Sequence, residues 1–338
     1  MHYPSFNSAS AKLHERALKY LPGGNTRTTV YMKPYPIYAV RGAGCRVWDA
    51  DGDVRIDCIN NFTSHIHGYA NPTINAVVKK QLENGTACGL PTSSEIDLAE
   101  LLCSRVESIE RVRFTNSGTE AVMMAIKAAR AFTGRAKIAK VEGAYHGSYD
   151  YAEVSLDSKP KEWGDDNTPS SIPYAKGTPS SVLSDVITIP FNDPEKAVKL
   201  LRLHAGELAA VLIDPVPNRA GLIPASQQFI TSLVDTAKEI GALLIFDEVI
   251  SFRLCYRGAQ SIWNVKPDLT ALGKIIGGGF PIGAVGGRED VMAVFDPTNG
   301  KPALPHGGTF SANPISMTAG LVAMQLLDQK SFDHLDDM

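Results

Sequence analysis

Apolar positions along the chain change rhythm twice. Over residues 8 to 20, Leu13, Ala17 and Leu18 fall at helical spacing behind a serine cap, and Pro22-Gly23-Gly24 ends the segment. Residues 37 to 59 break into strand-length runs at Arg41-Gly42-Ala43-Gly44 and Asp49-Ala50-Asp51-Gly52, which predicts a small antiparallel lobe. After Pro72, helical periodicity over 73–85, 94–106, 120–132, 194–205 and 227–240 alternates with the short apolar runs RVRFT, KIAKV, VITIP, AAVLIDPV, ALLIFDEV and LTALG. That alternation predicts βαβ units, an α/β fold whose mostly parallel sheet is flanked by helices. Residues 155 to 184, rich in Pro, Ser, Gly and Asp, interrupt the pattern as a long irregular excursion, the kind of loop that is usually functional or mobile. An amphipathic helix is expected over 313–327, and a further helix begins as the chain reaches HLDDM.

Composition narrows the class. With 338 residues, 44% of them hydrophobic and 20% charged, the chain has the material for one large domain or two modest ones around a sizeable core. Lys and Arg number 33 against 36 Asp and Glu, a formal charge of -3, which argues against a dedicated nucleic-acid binder. Cys45, Cys58, Cys88, Cys103 and Cys255 are odd in number and lack a C-x-x-C, so neither a disulfide framework nor a zinc site is expected, and a reducing cytoplasm fits. The first residues hold no apolar signal core, and no run approaches the roughly 18 apolar residues that span a bilayer. No membrane partner is expected.

Parallel sheets bind ligands beyond the carboxyl ends of their strands. RVRFT is followed there by Asn116-Ser117-Gly118-Thr119-Glu120 and a helix, an anion site of hydroxyls and free N–H groups; the same residues also read as a capping box of Ser117 with Glu120. Asp247-Glu248 ends an apolar strand, where a carboxylate needs a cation, an N–H or a protonated ring nitrogen unless it simply caps the next element. Lys274 stands between LTALG and a glycine cluster. Burial would lower its pKa and free the amine for Schiff-base chemistry; the alternative is a surface lysine on a flexible loop. Tyr145-His146-Gly147 lies at another strand tip, either as a site or as a satisfied core pair, and Asp214 ends AAVLI. Thr309 opens the last helix. Neither G-x-G-x-x-G after a strand nor G-x-x-x-x-G-K-[ST] occurs, so nicotinamide and nucleoside triphosphate lose support. An anion cradle, a strand-tip aromatic, a strand-tip acid and a glycine-flanked lysine, in that order on one sheet, are together what pyridoxal phosphate needs.

At these residues the sequence resembles the class III aminotransferases of fold type I, in the branch of glutamate-1-semialdehyde aminomutases and β-amino acid aminotransferases. The matching segments are Arg41-Gly42-Ala43-Gly44 with Val47-Trp48-Asp49, Asn116 to Ala121, Tyr145-His146-Gly147, Asp247-Glu248-Val249, Leu272-Gly273-Lys274, and Gly308-Thr309-Phe310-Ser311-Ala312-Asn313-Pro314. The resemblance implies a large cofactor-binding domain over 66–315, a smaller lobe built from 1–65, and the start of its C-terminal part in 316–338. It implies that Lys274 is the Schiff-base lysine and proton shuttle, and that Asp247 partners the pyridinium nitrogen. Ser117, Gly118 and Thr119 would cradle the phosphate, Tyr145 would stack on the ring, and Val249 would pack on its other face. Thr309 would reach the phosphate bound by a neighbouring subunit, which makes the partner a second copy in a homodimer with shared sites. Arg41 resembles a substrate-carboxylate clamp, with a plain turn cation as the alternative. Where the family has Glu-Pro-Val this chain has Asp214-Pro215-Val216. Family members continue for about 50 residues or more beyond the equivalent of Leu335, a piece that commonly carries a substrate-binding arginine.

Three functions are consistent with these residues. The first is ping-pong amino transfer from an amino acid, with a lean to β-amino acids, to a keto acid or aldehyde. The second is intramolecular transfer of the glutamate-semialdehyde aminomutase type. The third is a truncated paralogue that binds the cofactor without turnover.

Overall fold

The computed structural model describes residues 3–165 and 167–338, which divide into two compact units, residues 1–76 and 77–338. In the first unit the helix Ala9–Ala17 is capped by the Ser8 hydroxyl, which accepts the Ala11 N–H. Strands β1 (Ala39–Ala43), β2 (Arg46–Asp49) and β3 (Val54–Ile56) form the expected antiparallel sheet in that order. The chain then makes an unexpected turn: Asn60, Asn61, Phe62 and Thr63 all have positive φ, a conformation that costs L-residues about 1–2 kcal/mol each. The Asp57 carboxylate offsets that cost by accepting N–H groups from Ile59, Asn60 and Asn61 and the Tyr69 hydroxyl at 2.6 Å.

The second unit is a seven-stranded sheet in the order β4-β12-β11-β10-β9-β5-β8. Its strands are β4 (Arg111–Thr115), β5 (Lys137–Val141), β8 (Val186–Ile189), β9 (Leu208–Ile213), β10 (Leu243–Asp247), β11 (Leu269–Gly273) and β12 (Gly283–Gly287). Neighbours from β11 through β8 pair in parallel, and β12 runs against both β11 and β4. Every residue of β9, β10 and β11 is buried, because helices cover both faces and no polar face is needed. On one face the helix Gly118–Thr133 supplies Val122, Ala125, Ile126 and Ala129; on the other Gln227–Ile240 supplies Phe229, Leu233 and Ala237. The ends of Gln227–Ile240 are set by Ser226, which accepts the Phe229 N–H, and by left-handed Gly241.

Two expectations are corrected. GAVGG, taken only as part of a glycine run, is a central strand. A Cβ on Gly286 would lie 2.6 Å from Ile109 Cγ2, and one on Gly283 2.5 Å from the Ser117 carbonyl carbon, so glycine is needed where strand formers were looked for. The helix Pro314–Leu326 is not amphipathic: Ile315, Ser316, Met317, Ala319, Gly320, Ala323 and Met324 bury it nearly all round. It packs in the larger unit against the helix Ser93–Arg105 and the turn Lys274–Gly277. The excursion over 155–184 holds a two-stranded ribbon, β6 (Gly164–Asp165) with β7 (Thr168–Pro169), and the short helix Ser180–Ser184.

Candidate active site

The carboxyl ends of β4, β5, β10 and β11 bring most of the predicted residues together. After β4, the Ser117 hydroxyl caps the helix Gly118–Thr133 by accepting the Glu120 N–H at 3.2 Å, and the Glu120 carboxylate takes the Asn116 N–H at 2.5 Å. Both sequence readings therefore coexist: the cap is made, and the first N–H groups of the helix still face outward with the positive end of its dipole. Gly118 has to be glycine, since a Cβ would lie 2.8 Å from Val249 Cγ1. Val249 Cγ1 also stands 3.3 Å from where a Gly273 Cβ would be, so its side chain lies between the cradle and the residue before Lys274.

After β5, the Tyr145 ring is 37% exposed and the next residue is fully enclosed. His146 Nδ1 lies 2.8 Å from Asp247 Oδ2, while its Nε2 is buried without a partner. With no acceptor at Nε2 the proton sits on Nδ1 and is donated to the carboxylate. Burial holds the imidazole below its ordinary pKa, against the pull of Asp247. Asp247 Oδ1 accepts the Val249 N–H at 3.0 Å, which fixes the carboxylate from both sides. Left-handed Gly147 lets the loop touch the cradle: a Cβ there would be 2.7 Å from Thr119 Cα, and the Ser148 N–H donates to Thr119 Oγ1.

Lys274 opens the turn after β11 with φ of 50°, a strained conformation for a lysine and one that concentrates at working sites. Burial lowers its pKa, with Asp247 and Asp214 pulling the other way. Asp214, at the tip of β9, is pushed up to about 8 by burial and by the neighbouring Asp247 charge; its Oδ1 accepts the Val216 N–H. Glu248, wholly enclosed, takes the N–H groups of Ala259 and Gln260 and the Gln260 side-chain amide, and burial raises it to about 7. It ties the segment that follows Asp247 to the body of the unit.

Thr309 stands exposed on a turn whose Ser311 hydroxyl is 3.4 Å from Asn116 Nδ2. Arg41 belongs to the first unit, on β1, with its guanidinium 4.1 Å from the Trp48 ring centroid. Sequence reasoning missed the pairing of His146 with Asp247. The only signal was an imidazole beside a tyrosine already singled out. Among the described residues no group of His, Cys, Asp and Glu is arranged to hold a metal, and no helix is long and apolar enough to cross a membrane.

The residues present fit pyridoxal phosphate: a helix start kept bare by glycine for an anion, an enclosed acid for a ring nitrogen, and a lysine with a depressed pKa beside it. Comparison with known proteins agrees. The chain matches the family "Aminotransferase class-III" over residues 28–336. It is 42% identical over 324 residues to a glutamate-1-semialdehyde 2,1-aminomutase of Methanocaldococcus jannaschii, covering 96% of this chain and 74% of that protein. An omega-transaminase from Sphaerobacter thermophilus is 58% identical with a TM-score of 0.97, covering 98% of this chain and 76% of the other. A β-phenylalanine aminotransferase from Variovorax paradoxus is 38% identical with a TM-score of 0.81, covering 93% and 68%. A cradle, an acid and a lysine at one sheet end, in a chain matched from residue 28 to residue 336, make this protein a member of the class III aminotransferases with pyridoxal phosphate as its cofactor.

Proposed function

We propose that this protein transfers an amino group between two separate small molecules, from an amino acid, with β-amino acids foremost, to a keto acid or aldehyde. The observation that carries the choice is its 58% identity to an omega-transaminase, against 42% to an aminomutase. The β-phenylalanine aminotransferase supports the lean to β-amino donors. The aminomutase reading stands second, favoured by identity that runs over 324 residues.

Bound pyridoxal phosphate supplies an aldehyde carbon that takes the amino group and a ring that accepts the electron pair released at the donor carbon. The chain's own residues do the rest. Ser117, Gly118 and Thr119 bind the phosphate by hydroxyl and N–H groups at the helix start. Asp247, held by His146 and Val249, carries the negative charge that keeps the ring nitrogen protonated. Tyr145 and Val249 would pack against the ring of the bound cofactor. Lys274 would hold the cofactor through its Nζ and move the proton at the donor carbon, and burial shifts its pKa toward the free amine that this role uses. Arg41 clamps the donor carboxylate. Thr309, exposed in this chain, serves the site of a second copy, so the working form is a homodimer. Five free cysteines support a cytoplasmic location.

The test is a visible spectrum of purified protein with pyridoxal phosphate, then with a β-amino acid, and separately with glutamate-1-semialdehyde. Bleaching by the β-amino acid, restored by a keto acid, is expected. Turnover of the semialdehyde with no external acceptor would replace the transaminase reading by the aminomutase one. A spectrum that Lys274→Ala leaves unchanged would remove the lysine from its role.

A further inference from the structure

Lys140, on β5, is entirely buried, and neither of its hydrogen bonds goes to an acid. Its ammonium donates to the Val141 carbonyl at 3.0 Å and to the Val154 carbonyl at 2.7 Å. On the strand it shares a face with Ile138, and Ile138 and Val154 belong to one apolar cluster. A charge-bearing group in such surroundings costs stability that a methionine of the same length would not. Its geometry indicates what offsets the cost.

Val141 and Val154 are the two stems of one loop. Between them the chain carries Tyr145, His146 bonded to Asp247, and Gly147 and Ser148 against Thr119. Each of those contacts is a single anchor at the tip. At the neck, the Lys140 ammonium bridges the end of β5 and Val154, which follows the short helix Asp150–Glu153, and the Gly143 N–H adds one bond to the Ser155 carbonyl at 2.8 Å. A separate stitch lies beside it: Thr188, paired with Lys140 across β5 and β8, is 3.1 Å from the Ser155 hydroxyl, and Ser155 accepts the Ile172 N–H. That stitch holds the excursion beyond residue 155, whereas Lys140 holds the loop before it.

We propose that Lys140 is a positioning residue that clasps the neck of the 141–154 loop, and so fixes where Tyr145 and His146 meet the cofactor. The consequence for the cofactor rests on the site assignment above; the clasp itself does not. The test is hydrogen exchange on the cofactor-free protein, with cofactor affinity measured in parallel, for wild type, Lys140→Met and Thr188→Val. Lys140→Met should speed exchange across residues 142–153 by about tenfold or more, the equivalent of one lost hydrogen bond, and leave the helix Gln227–Ile240 unchanged. It should weaken pyridoxal phosphate binding by a similar factor. Thr188→Val should loosen residues beyond 155 and spare the affinity. A folded Lys140→Met protein with wild-type exchange over 142–153 overturns the clasp. Faster exchange with unchanged affinity removes its role in positioning the cofactor, and a wild type that binds no cofactor removes the site assignment instead. If Lys140→Met does not fold, wild type decides: the Gly143 and Ala144 amides must exchange as slowly as those of β5, and fast exchange there overturns the proposal.

Discussion

Replacing glycine by alanine inside a helix ordinarily stabilises it by about 1 kcal/mol, because glycine loses more backbone freedom on folding. Gly320 sits in the middle of the helix Pro314–Leu326, and there the sign should reverse. A Cβ at this position would come within 3.0 Å of the Ile276 carbonyl oxygen, nearer than real Cβ atoms approach. From the other side, a Cβ on left-handed Gly278 would lie 2.5 Å from the Ala319 carbonyl oxygen. Helix and turn therefore touch backbone to backbone, and neither obstacle is a side chain that could rotate away. Overpacking costs about 1–3 kcal/mol, occasionally more, and an obstacle made of backbone puts this site in the upper part of that range, about 2–3 kcal/mol, which exceeds the helix gain. The net loss for Gly320→Ala is about 1–2 kcal/mol, or about 2–4 °C in unfolding midpoint at the low end of the usual conversion. Thermal unfolding against wild type measures it, with Gly206→Ala as reference, since nothing lies within 4 Å of a Cβ there. Because Ile276 follows Lys274 by two residues, a displaced turn should also weaken cofactor binding in the same samples. A Gly320→Ala protein as stable as wild type, with unchanged affinity, would refute the claim that this contact sets the position of the lysine.

Two further outcomes follow from the site. His146→Leu removes the donor to Asp247 Oδ2 and leaves that carboxylate with the Val249 N–H alone. Bonds to charged groups contribute about 1.5–3 kcal/mol, so titration with pyridoxal phosphate should show affinity lowered at least about tenfold, and an unchanged affinity would sink the pairing. Asp214 carries its proton to about pH 8 in the folded, cofactor-free chain but releases it near 3.8 when unfolded. The native state thus binds the extra proton between those values, and stability attributable to this group falls as pH rises through the window. Asp214→Asn should therefore gain on wild type from pH 5 to pH 8, with a slope approaching about 1.4 kcal/mol per pH unit. A gap that stays flat over that range contradicts the shifted Asp214.

Legibility differed between the layers of this molecule for physical reasons. KIAKV and LTALG declared themselves because a strand covered on both faces is a short apolar run with turn residues at its ends. GAVGG did not, because the close approach of Ile109 and of the Ser117 carbonyl requires glycine and erases the usual strand signature. Asp247 and Lys274 were visible as an acid and an amine at strand ends, positions where either needs a reason. Their neighbours were not. His146 and Asp247 are 101 residues apart, and β9 separates their strands, so the pairing depends on a strand order that no local pattern encodes. Lys140 stands in a strand buried from Ile138 to Val141, and nothing in KIAKV shows that its ammonium meets the Val154 carbonyl 14 residues on.

The position of β12 bears on how the chain is made. β4 joins the other strands only through residues 283–287, which pair with residues 111–115. While the chain is being synthesised, β4 waits beside its helix with an open edge until that late strand has emerged. Pairings over such separations form slowly and leave sticky edges exposed in the meantime. The loop with Ser117 and the turn with Lys274 are thus joined into one sheet end only once residues 283–287 have emerged. A fragment that ends just before residue 283 has its helices and the five paired strands β11-β10-β9-β5-β8, but no β12 to join β4 to them and no assembled site, and its unpaired edges make it a natural client for chaperones.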